Sequence, residues 1–271
     1  MKKLILALVV FATVNLFADD MNLWQKSTLN QIVQRGELQV CMEPGYMPFE
    51  MKDKKGRIIG YDVDMAKKMA KEMGVKLKLL PTAWDGIIAA LITNKCDIIM
   101  SGMTITQQRN LKINFANPYI VVGQTVMMRN GLADKIKTAA DLDKAEYTIV
   151  TKLGVTGEIA TKKFYKNAKI LTFETESDAA SEVLAGRADA MVYDQPYNVL
   201  FMSDKGKGKL VHLDIPLTYE PLGWAIRKGD PDFLNWLNNF LRQMQEDKVL
   251  NFSDDLYKKW LVDTTWLKRV Q

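Results

Sequence analysis

The segment SGMTITQQR, residues 101–109, contains the residue types that bind a carboxylate group. Thr104 occupies a predicted helix N-cap, with Gln107 three residues later at the spacing of a capping box. The free N–H groups of a helix N-terminus and the planar guanidinium of Arg109 both suit a carboxylate. A second segment, GVTGE at residues 154–158, offers two glycines beside another predicted helix start. Together the two segments predict a carboxylate site, although Thr104 alone also fits an ordinary helix cap.

Other candidate side chains stand at the ends of predicted strands or begin the helix that follows. Asp194 supplies a negative partner for an ammonium group, and Tyr46 and Trp84 supply aromatic faces for a side chain between them. Taken singly, Arg109 also fits a solvated surface residue and Asp194 the start of a turn. The candidate positions are Glu43, Gly45, Tyr46, Trp84, Ser101, Gly102, Thr104, Arg109, Lys152, Gly154, Thr156, Gly157, Tyr193 and Asp194. Because ligands bind beyond the carboxyl ends of strands in open α/β sheets, their joint occurrence predicts one cleft for a free α-amino acid.

Short apolar runs alternate with segments of helical periodicity along the chain. The predicted order is strand 37–42, helix 62–73, strand 75–81, helix 84–93, strand 96–102, then strand 146–152, helix 157–165, strand 169–174, helix 176–185 and strand 188–194. This βαβαβ rhythm predicts parallel sheets with helices on their faces. Asp62 and Asp64 are interpreted as cap and helix-dipole residues outside the site. The apolar stripe within residues 231–260 is interpreted as core packing.

Two similar halves are indicated by the segments ALITNKCDIIMSG and EVLAGRADAMVYD. Both run in the order apolar helix, turn, aspartate, apolar strand. Two β-rich runs bounded by Gly and Pro, residues 117–131 and 218–231, lie between the halves. If the chain crosses from one lobe to the other and back, these are the two crossings, and paired crossings make a hinge.

The N-terminal residues follow the order of a secretory signal. Lys2 and Lys3 give a positive start, residues 4–14 are apolar, and Ala18 is the small residue before a predicted cut. The apolar run is too short for a comfortable membrane span. We therefore expect a signal peptide at residues 1–18 and a soluble protein in the periplasm.

Charge and composition argue against nucleic-acid and metal binding, and we expect no cofactor. The formal net charge of +5 comes from lysines that alternate with acidic residues, without the clustered positive charge that phosphate binding needs. His212 is the only histidine, and no cysteine pair has zinc-ligand spacing. Cys41 and Cys96 form a disulfide candidate in an oxidising compartment. Their positions at opposite ends of two strand-like runs favour buried free thiols instead.

A series of motifs identifies a known family. In chain order these are GYMPFE, GYDVDMAKKMA, WDGIIAAL, CDIIMSGMTITQQR, NFANPY, GVTGEIA and AGRADAMVYDQP. The series resembles the polar-amino-acid solute-binding proteins of bacterial ABC importers and covers nearly the whole chain after the signal. The resemblance implies a two-lobed Venus-flytrap α/β fold, with each lobe a mixed, mostly parallel sheet flanked by helices and two hinge strands. It places the first lobe at residues 19–121 and 222–271 and the second at 122–221.

The resemblance also implies roles for the residues that would bind the amino-acid backbone. Arg109 resembles the arginine that grips the α-carboxylate, with Thr104 and Thr156 assisting. Gly102 would offer its carbonyl, and Asp194 its carboxylate, to the α-ammonium. Ser101 stands beside Gly102 in the same motif and joins the expected ligand-binding set.

The remaining implied roles concern the ligand's side chain. Tyr46 and Trp84 resemble the aromatic pair that encloses it, and Glu43 falls where relatives carry an acid near its far end. A buried acid favours a cationic ligand such as lysine or arginine, since an unpaired carboxylate is costly. Glutamine-binding relatives also have an acid there. Lys152 would argue against a cationic ligand if it faces the cleft.

The implied partners are a free L-amino acid and an inner-membrane ABC permease, with the binding protein monomeric and without catalytic activity. Cyclohexadienyl dehydratases, which act on prephenate or arogenate, share the fold and much of the motif series. In that alternative Glu158 would be the general acid. A sensory role is the third possibility.

Overall fold

The computed structural model describes residues 26–246 and 251–270. The predicted signal peptide at residues 1–18 lies outside them. Within these two ranges, no helix combines the length and apolar character needed to cross a bilayer.

The first half of the chain builds one sheet and its helices. In order these elements are α1 (Thr28–Arg35), β1 (Glu37–Met42), β2 (Met51–Lys52), β3 (Ile58–Ile59), α2 (Tyr61–Glu72), β4 (Lys76–Pro81), α3 (Trp84–Ile92), β5 (Ile98–Ile99), α4 (Gln107–Asn110) and β6 (Asn114–Phe115). The predicted strands at 37–42 and 75–81 match β1 and β4, whereas the one at 96–102 forms a ladder only at β5. The hairpin of β2 and β3 was not predicted, because two-residue strands carry no alternating pattern.

The rest of the chain builds a second sheet and then returns to the first. Its elements are β7 (Ile120–Val122), β8 (Gln124–Arg129), β9 (Thr148–Lys152), α5 (Thr156–Phe164), β10 (Lys169–Phe173), α6 (Glu176–Leu184), β11 (Ala190–Asp194), α7 (Gln195–Ser203), β12 (Leu210–Leu213), β13 (Glu220–Leu222), β14 (Ala225–Ile226), α8 (Pro231–Glu246) and α9 (Phe252–Tyr257). Short 3₁₀ helices at Asn130–Leu132, Ala139–Leu142 and Thr265–Arg269, and a π-helical turn at Lys258–Val262, complete the described elements.

Each of the two large sheets has five strands and a mixed, mostly parallel arrangement. The first has the order β4-β1-β5-β14-β6, with β14 antiparallel to both its neighbours. The second has the order β10-β9-β11-β8-β12, with β8 antiparallel to both its neighbours. The other strands of each sheet therefore run in one direction. This arrangement confirms the predicted two-lobed α/β fold, and the two lobes are named here after the first and second sheet.

The lobes are joined by two strands that pair with each other. Strand β7 leads from the first lobe to the second, and β13 leads back. They form an antiparallel two-stranded sheet in which Glu220 pairs with Val122 and Leu222 with Ile120. This is the two-strand hinge predicted from the paired crossings. The strands of the second sheet come from residues 124–213, and the exact lobe boundaries at 121/122 and 221/222 stay a prediction.

Apolar helix faces fill the space against the sheets. In α2, Met65 and Met69 are buried beside Ala66 and Ala70. In α8 the buried residues are Phe233, Leu237, Phe240, Leu241 and Met244. The apolar stripe predicted within 231–260 therefore packs in the core.

The expectation of two free thiols is wrong, since Cys41 and Cys96 form a disulfide with a Cα–Cα distance of 5.7 Å. Strands β1 and β5 are parallel neighbours, with Cys41 level with Ile99. A fully extended chain would place Cys96 far from Cys41 along the strand. Bends at residues 95 and 97 instead bring Cys96 back towards Cys41. The prediction failed because it assumed that the strand-like run was extended from its first residue.

Removal of this disulfide should lower stability. The two cysteines are 55 residues apart, and closing a loop of that length restricts the unfolded chain by about 4 kcal/mol in the entropic model. We expect the double variant C41A/C96A to lose about 2–4 kcal/mol in the free energy of unfolding, measured by urea denaturation. Reductant should lower the midpoint of the wild type but not of the variant. An equal response of both proteins to reductant would contradict the prediction.

Candidate ligand-binding site

A cleft between the lobes brings together all nine residues predicted to bind the ligand. Its lining comprises Glu43, Tyr46, Glu50, Trp84, Ser101, Gly102, Thr104, Arg109, Gln124, Lys152, Val155, Thr156, Tyr193 and Asp194. Lys152 and Asp194 are the last residues of β9 and β11, and Glu43 directly follows β1. The cleft therefore lies at the carboxyl ends of the parallel strands of both sheets, where ligands of α/β proteins bind.

Arg109 presents unused hydrogen-bond donors to the cleft. Its Nη1 donates to the backbone oxygen of Thr104 at 2.8 Å, and its guanidinium lies 5.3 Å from the centre of the Trp84 ring. Burial lowers the pKa of Arg109, whereas the nearby carboxylates of Glu220 and Asp194 favour its charged form. A guanidinium has five N–H donors, and Thr104 is the one acceptor found for them among the described residues. The remaining donors can hold a carboxylate.

Thr104 lines the cleft, but its predicted role as a helix cap is wrong. The N-cap of α4 is Thr106, whose hydroxyl accepts a hydrogen bond from the backbone N–H of Arg109 at 3.1 Å. Thr104 instead forms an isolated β-bridge with Leu222 at the end of β13. Its hydroxyl lies 3.4 Å from that of Thr156 in the second lobe. Pairing with the hinge strand thus holds Thr104 in an extended conformation, and the helix begins only at Gln107.

The GVTGE segment predicts a helix start beside two glycines, and α5 begins there. The helix begins at Thr156, and its N-cap Val155 has no side-chain oxygen to bind the first N–H groups. A Cβ atom at Gly157 would lie 2.8 Å from Oε1 of Gln124, so a side chain there would displace Gln124. The glycine therefore lets the helix start approach the cleft closely, where its N–H groups suit an anion.

Asp194 is a buried carboxylate held by two neutral donors. It accepts hydrogen bonds from the Tyr46 hydroxyl and from Nε2 of Gln124, both at 2.5 Å. Tyr46 belongs to the first lobe, so this bond crosses the cleft. Burial raises the pKa of Asp194 to about 7, since the two donors and the charge of Arg109 offset only part of the desolvation. A cationic group beside Asp194 would stabilise its ionised form.

Asp62 is not the predicted helix cap, because the N-cap of α2 is Gly60, but it does lie in the first turn of the helix, as a helix-dipole residue would. Asp62 is fully buried and accepts from the Gly102 backbone N–H at 3.0 Å, the Tyr119 hydroxyl at 2.9 Å and the Trp224 indole at 3.2 Å. Burial raises its pKa to about 6. Asp62 thus fixes the Gly102 turn from behind, a role that its sequence position at a helix start concealed.

Gly102 can occupy this position because it lacks a side chain. Its φ of +52° is in the left-handed region, and a Cβ atom would lie 2.2 Å from the ring of Tyr46. Asp64, the neighbour of Asp62 in the helix, pairs with Lys67 and Lys259 away from the cleft. The prediction that Asp64 lies outside the site agrees with this placement.

The end of the cleft that contains Glu43, where the resemblance places the far end of the ligand, also contains a lysine ammonium group. The ammonium of Lys152 donates to Oε2 of Glu43 and, at 2.8 Å, to Oε2 of Glu176. Although burial opposes its charge, these two carboxylates raise the pKa of Lys152. Lys152 therefore does face the cleft. Sequence reasoning missed Glu176, because an acidic residue in the first turn of a helix is ordinarily read as a partner of the helix dipole.

Glu50 is a second acid that sequence reasoning missed. It is fully buried, and its Oε1 accepts from the Ser101 hydroxyl at 2.7 Å, which in turn accepts from the Glu43 backbone N–H. Burial and the charges of neighbouring acids raise the pKa of Glu50 well above its usual value, which favours its neutral form. Its Oε2 has no partner among the described residues.

Trp84 closes the outer side of the cleft. Its indole N–H donates to the backbone oxygen of Gly154 in the second lobe at 3.0 Å. The same ring lies within cation–π range of Arg109 and of Lys152, whose Nζ is 5.9 Å from the ring centre. Trp84 thus covers both cationic groups of the cleft and links the lobes.

Glu158 does not line the cleft. Its Oε2 accepts from the Gly154 backbone N–H at 2.7 Å, and its Oε1 pairs with Lys162 at 2.6 Å. Although partial burial opposes this, the two donors keep the pKa of Glu158 below its ordinary value. The side chain is therefore an ionised group that holds the start of α5.

The two lobes, the hinge and the charged cleft between them define a ligand-binding protein of the Venus-flytrap class. The chain matches the family of bacterial extracellular solute-binding proteins, family 3, over residues 38–263. It belongs to this family, which confirms the resemblance read from its motifs.

The relatives include binding proteins for several amino acids and one enzyme. The chain is 30% identical to the L-cystine-binding protein TcyJ of Escherichia coli K12, with 94% of this chain and 91% of that protein covered. It is also 30% identical to a cyclohexadienyl dehydratase of Pseudomonas aeruginosa, over 63% of each chain.

Solved structures agree with the fold. A protein of Wolinella succinogenes, described as an ABC-transporter binding component and solved with lysine, has 61% identity and a TM-score of 0.84, covering 86% of this chain and 99% of that one. A mutant of the arginine-binding protein of T. maritima has 36% identity and a TM-score of 0.79, covering 87% and 100%.

The raised pKa of Asp194 predicts a pH-dependent stability. The folded protein keeps this proton up to about pH 7, whereas the unfolded chain loses it near 3.8. The resulting stabilisation is complete below pH 3.8 and is lost as the pH rises through 7. Between pH 5 and 7.5 we expect the free energy of unfolding of the wild type to change by about 2 kcal/mol more, in the falling direction, than that of D194N. Urea denaturation at both pH values measures this difference, and parallel pH profiles would refute it.

Proposed function

We propose that this chain is the binding component of an ABC importer for a polar amino acid, with lysine or arginine as the preferred ligand. The observation that carries the proposal is the presence of Arg109 and Asp194, one cation and one anion, in the same interlobe cleft. An α-amino acid carries one carboxylate and one ammonium group, and the two side chains complement both.

The cleft supports a specific orientation of the ligand. The free donors of Arg109 and the uncapped start of α5 would bind the α-carboxylate, with the Thr104 and Thr156 hydroxyls beside them. Asp194 and the Gly102 carbonyl would receive the α-ammonium. This orientation directs the ligand's side chain between Tyr46 and Trp84 towards Ser101, Glu43 and Glu50.

Two observations support a cationic side chain. The two carboxylates of Glu43 and Glu176 outnumber the one ammonium group beside them, that of Lys152, which itself faces the cleft. The Wolinella succinogenes relative was solved with lysine, and a truncated T. maritima arginine-binding protein with arginine. Lysine and arginine are therefore the first ligands to test.

The partner and location follow from the family and the sequence. We infer export through the signal at residues 1–18, a periplasmic location and delivery of the ligand to an inner-membrane permease by a monomeric binding protein. The lobe boundaries proposed from the resemblance, 19–121 with 222–271 and 122–221, place one junction within the hinge strand β7 and the other within β13.

An enzymatic function is the second candidate, supported by the Pseudomonas aeruginosa relative. A general acid must reach the substrate and carry a proton at the working pH. Glu158 is turned towards Lys162 and Gly154, and its lowered pKa favours the ionised form. We therefore propose a binding protein without dehydratase activity.

A thermal-shift screen against the twenty amino acids tests the proposed ligand. A ligand that binds the folded state alone raises the melting temperature by mass action. We expect lysine and arginine to give the largest shifts and glutamine a smaller one. A shift with glutamine but none with lysine or arginine would contradict the cationic assignment. In a parallel incubation, formation of phenylpyruvate from prephenate would contradict the absence of dehydratase activity.

Substitution of the two backbone-binding residues should abolish binding. We expect R109A and D194A each to weaken lysine binding at least about 100-fold in calorimetry, since each removes one partner of a buried charge pair. R187A is a matched control, because Arg187 is exposed and pairs with Glu182 outside the cleft. Far-ultraviolet circular dichroism verifies folding. Unchanged affinity in both cleft variants would refute the site.

A further inference from the structure

Lys152 stands out among the lysines of the described residues because of its burial. Its side chain is 2% exposed, as is that of Glu176, whereas the side chain of its other partner, Glu43, is 22% exposed. Glu43 belongs to the first lobe, while Lys152 and Glu176 belong to the second. One partner of Lys152 is thus inside its own lobe, and the other lies across the cleft at the ligand's side.

The charges at this end of the cleft do not balance. Two carboxylates, Glu43 and Glu176, face one ammonium group, which leaves one excess negative charge. Arg109 and Asp194 would match the two backbone charges of an amino acid. A buried excess charge is costly unless a counter-charge reaches it. A ligand with one positive charge on its side chain would neutralise this end of the cleft.

Glu176 is placed to retain Lys152 when Glu43 is engaged elsewhere. It opens α6 directly after the N-cap Thr175, where the helix dipole favours an anion. A Cβ atom at Gly45 would lie 2.6 Å from Oε1 of Glu176, so the glycine provides the space for this carboxylate. The Glu176–Lys152 pair is therefore a fixed part of the second lobe, whereas the Glu43–Lys152 pair spans the two lobes.

We propose that Lys152 is a displaceable internal cation that sets the ligand's charge specificity: the cationic side chain of the ligand takes Glu43, and Lys152 remains on Glu176. This inference rests on the proposed function and names the residues that select within it. Lys152 competes with the ligand for Glu43, and Glu176 makes the exchange possible. Loss of Lys152 should therefore raise the affinity for lysine, and loss of Glu176 should lower it.

Calorimetry of lysine and glutamine binding to K152M and E176Q tests the exchange. K152M leaves both carboxylates to the ligand, so lysine should bind at least about tenfold more tightly than to the wild type. E176Q removes the excess negative charge and keeps Lys152 on Glu43, so lysine should bind at least about tenfold more weakly. The affinity for glutamine, which has no side-chain charge, should change much less in both variants.

K163M serves as the control, since Lys163 is exposed on α5 outside the cleft lining. If K152M does not fold, the near-isosteric E176Q still decides, because a merely structural role would not lower lysine affinity selectively over glutamine. Weaker lysine binding in K152M, or equal losses for lysine and glutamine in E176Q, would overturn the exchange alone. Failure of the wild type to bind any amino acid would overturn the proposed function and this inference with it.

Discussion

A charge enclosed between two protein lobes must find a partner, and the cleft of this protein depends on that constraint. Removing an isolated ion from water has a large cost in free energy, which only an opposite charge or several hydrogen bonds can offset. Lys152 satisfies the requirement with one carboxylate from each lobe. Asp194 relies on neutral donors and has a pKa raised to about 7. The difference marks Asp194 as the position where a cationic group gains most from binding.

Glycines around the cleft leave room for its charged and polar groups. Gly45 provides the space for the Glu176 carboxylate, and Gly157 provides the space for the Gln124 amide. The buried carboxylate of Asp62 holds the Gly102 turn from behind. Supporting residues outside the cleft lining thus determine its geometry as much as those within it.

The sequence predicted the cleft because parallel strands end at a common edge of each sheet. The nine residues expected from the strand ends and the family resemblance line it, whereas Gly45, Gly154 and Gly157 of the wider strand-end set do not. Gln124 was missed because it begins a strand: β8 is antiparallel to β11, and its first residue pairs with Asp194, the last residue of β11. The start of an antiparallel strand therefore reaches the same edge as the ends of its neighbours. Glu176 was missed for a different reason, because only the tertiary fold shows that a helix start faces the other lobe.

Ligand binding and lobe closure are physically coupled in this arrangement. Contacts that cross the cleft include those of Tyr46 with Asp194, Trp84 with Gly154, Glu43 with Lys152 and Thr104 with Thr156. Rotation about the β7–β13 hinge would break them together and return their groups to water. A ligand that contacts both lobes adds to these bonds only in the closed form and therefore shifts the population towards it. Closure changes the relative position of the two lobe surfaces whatever ligand lies between them.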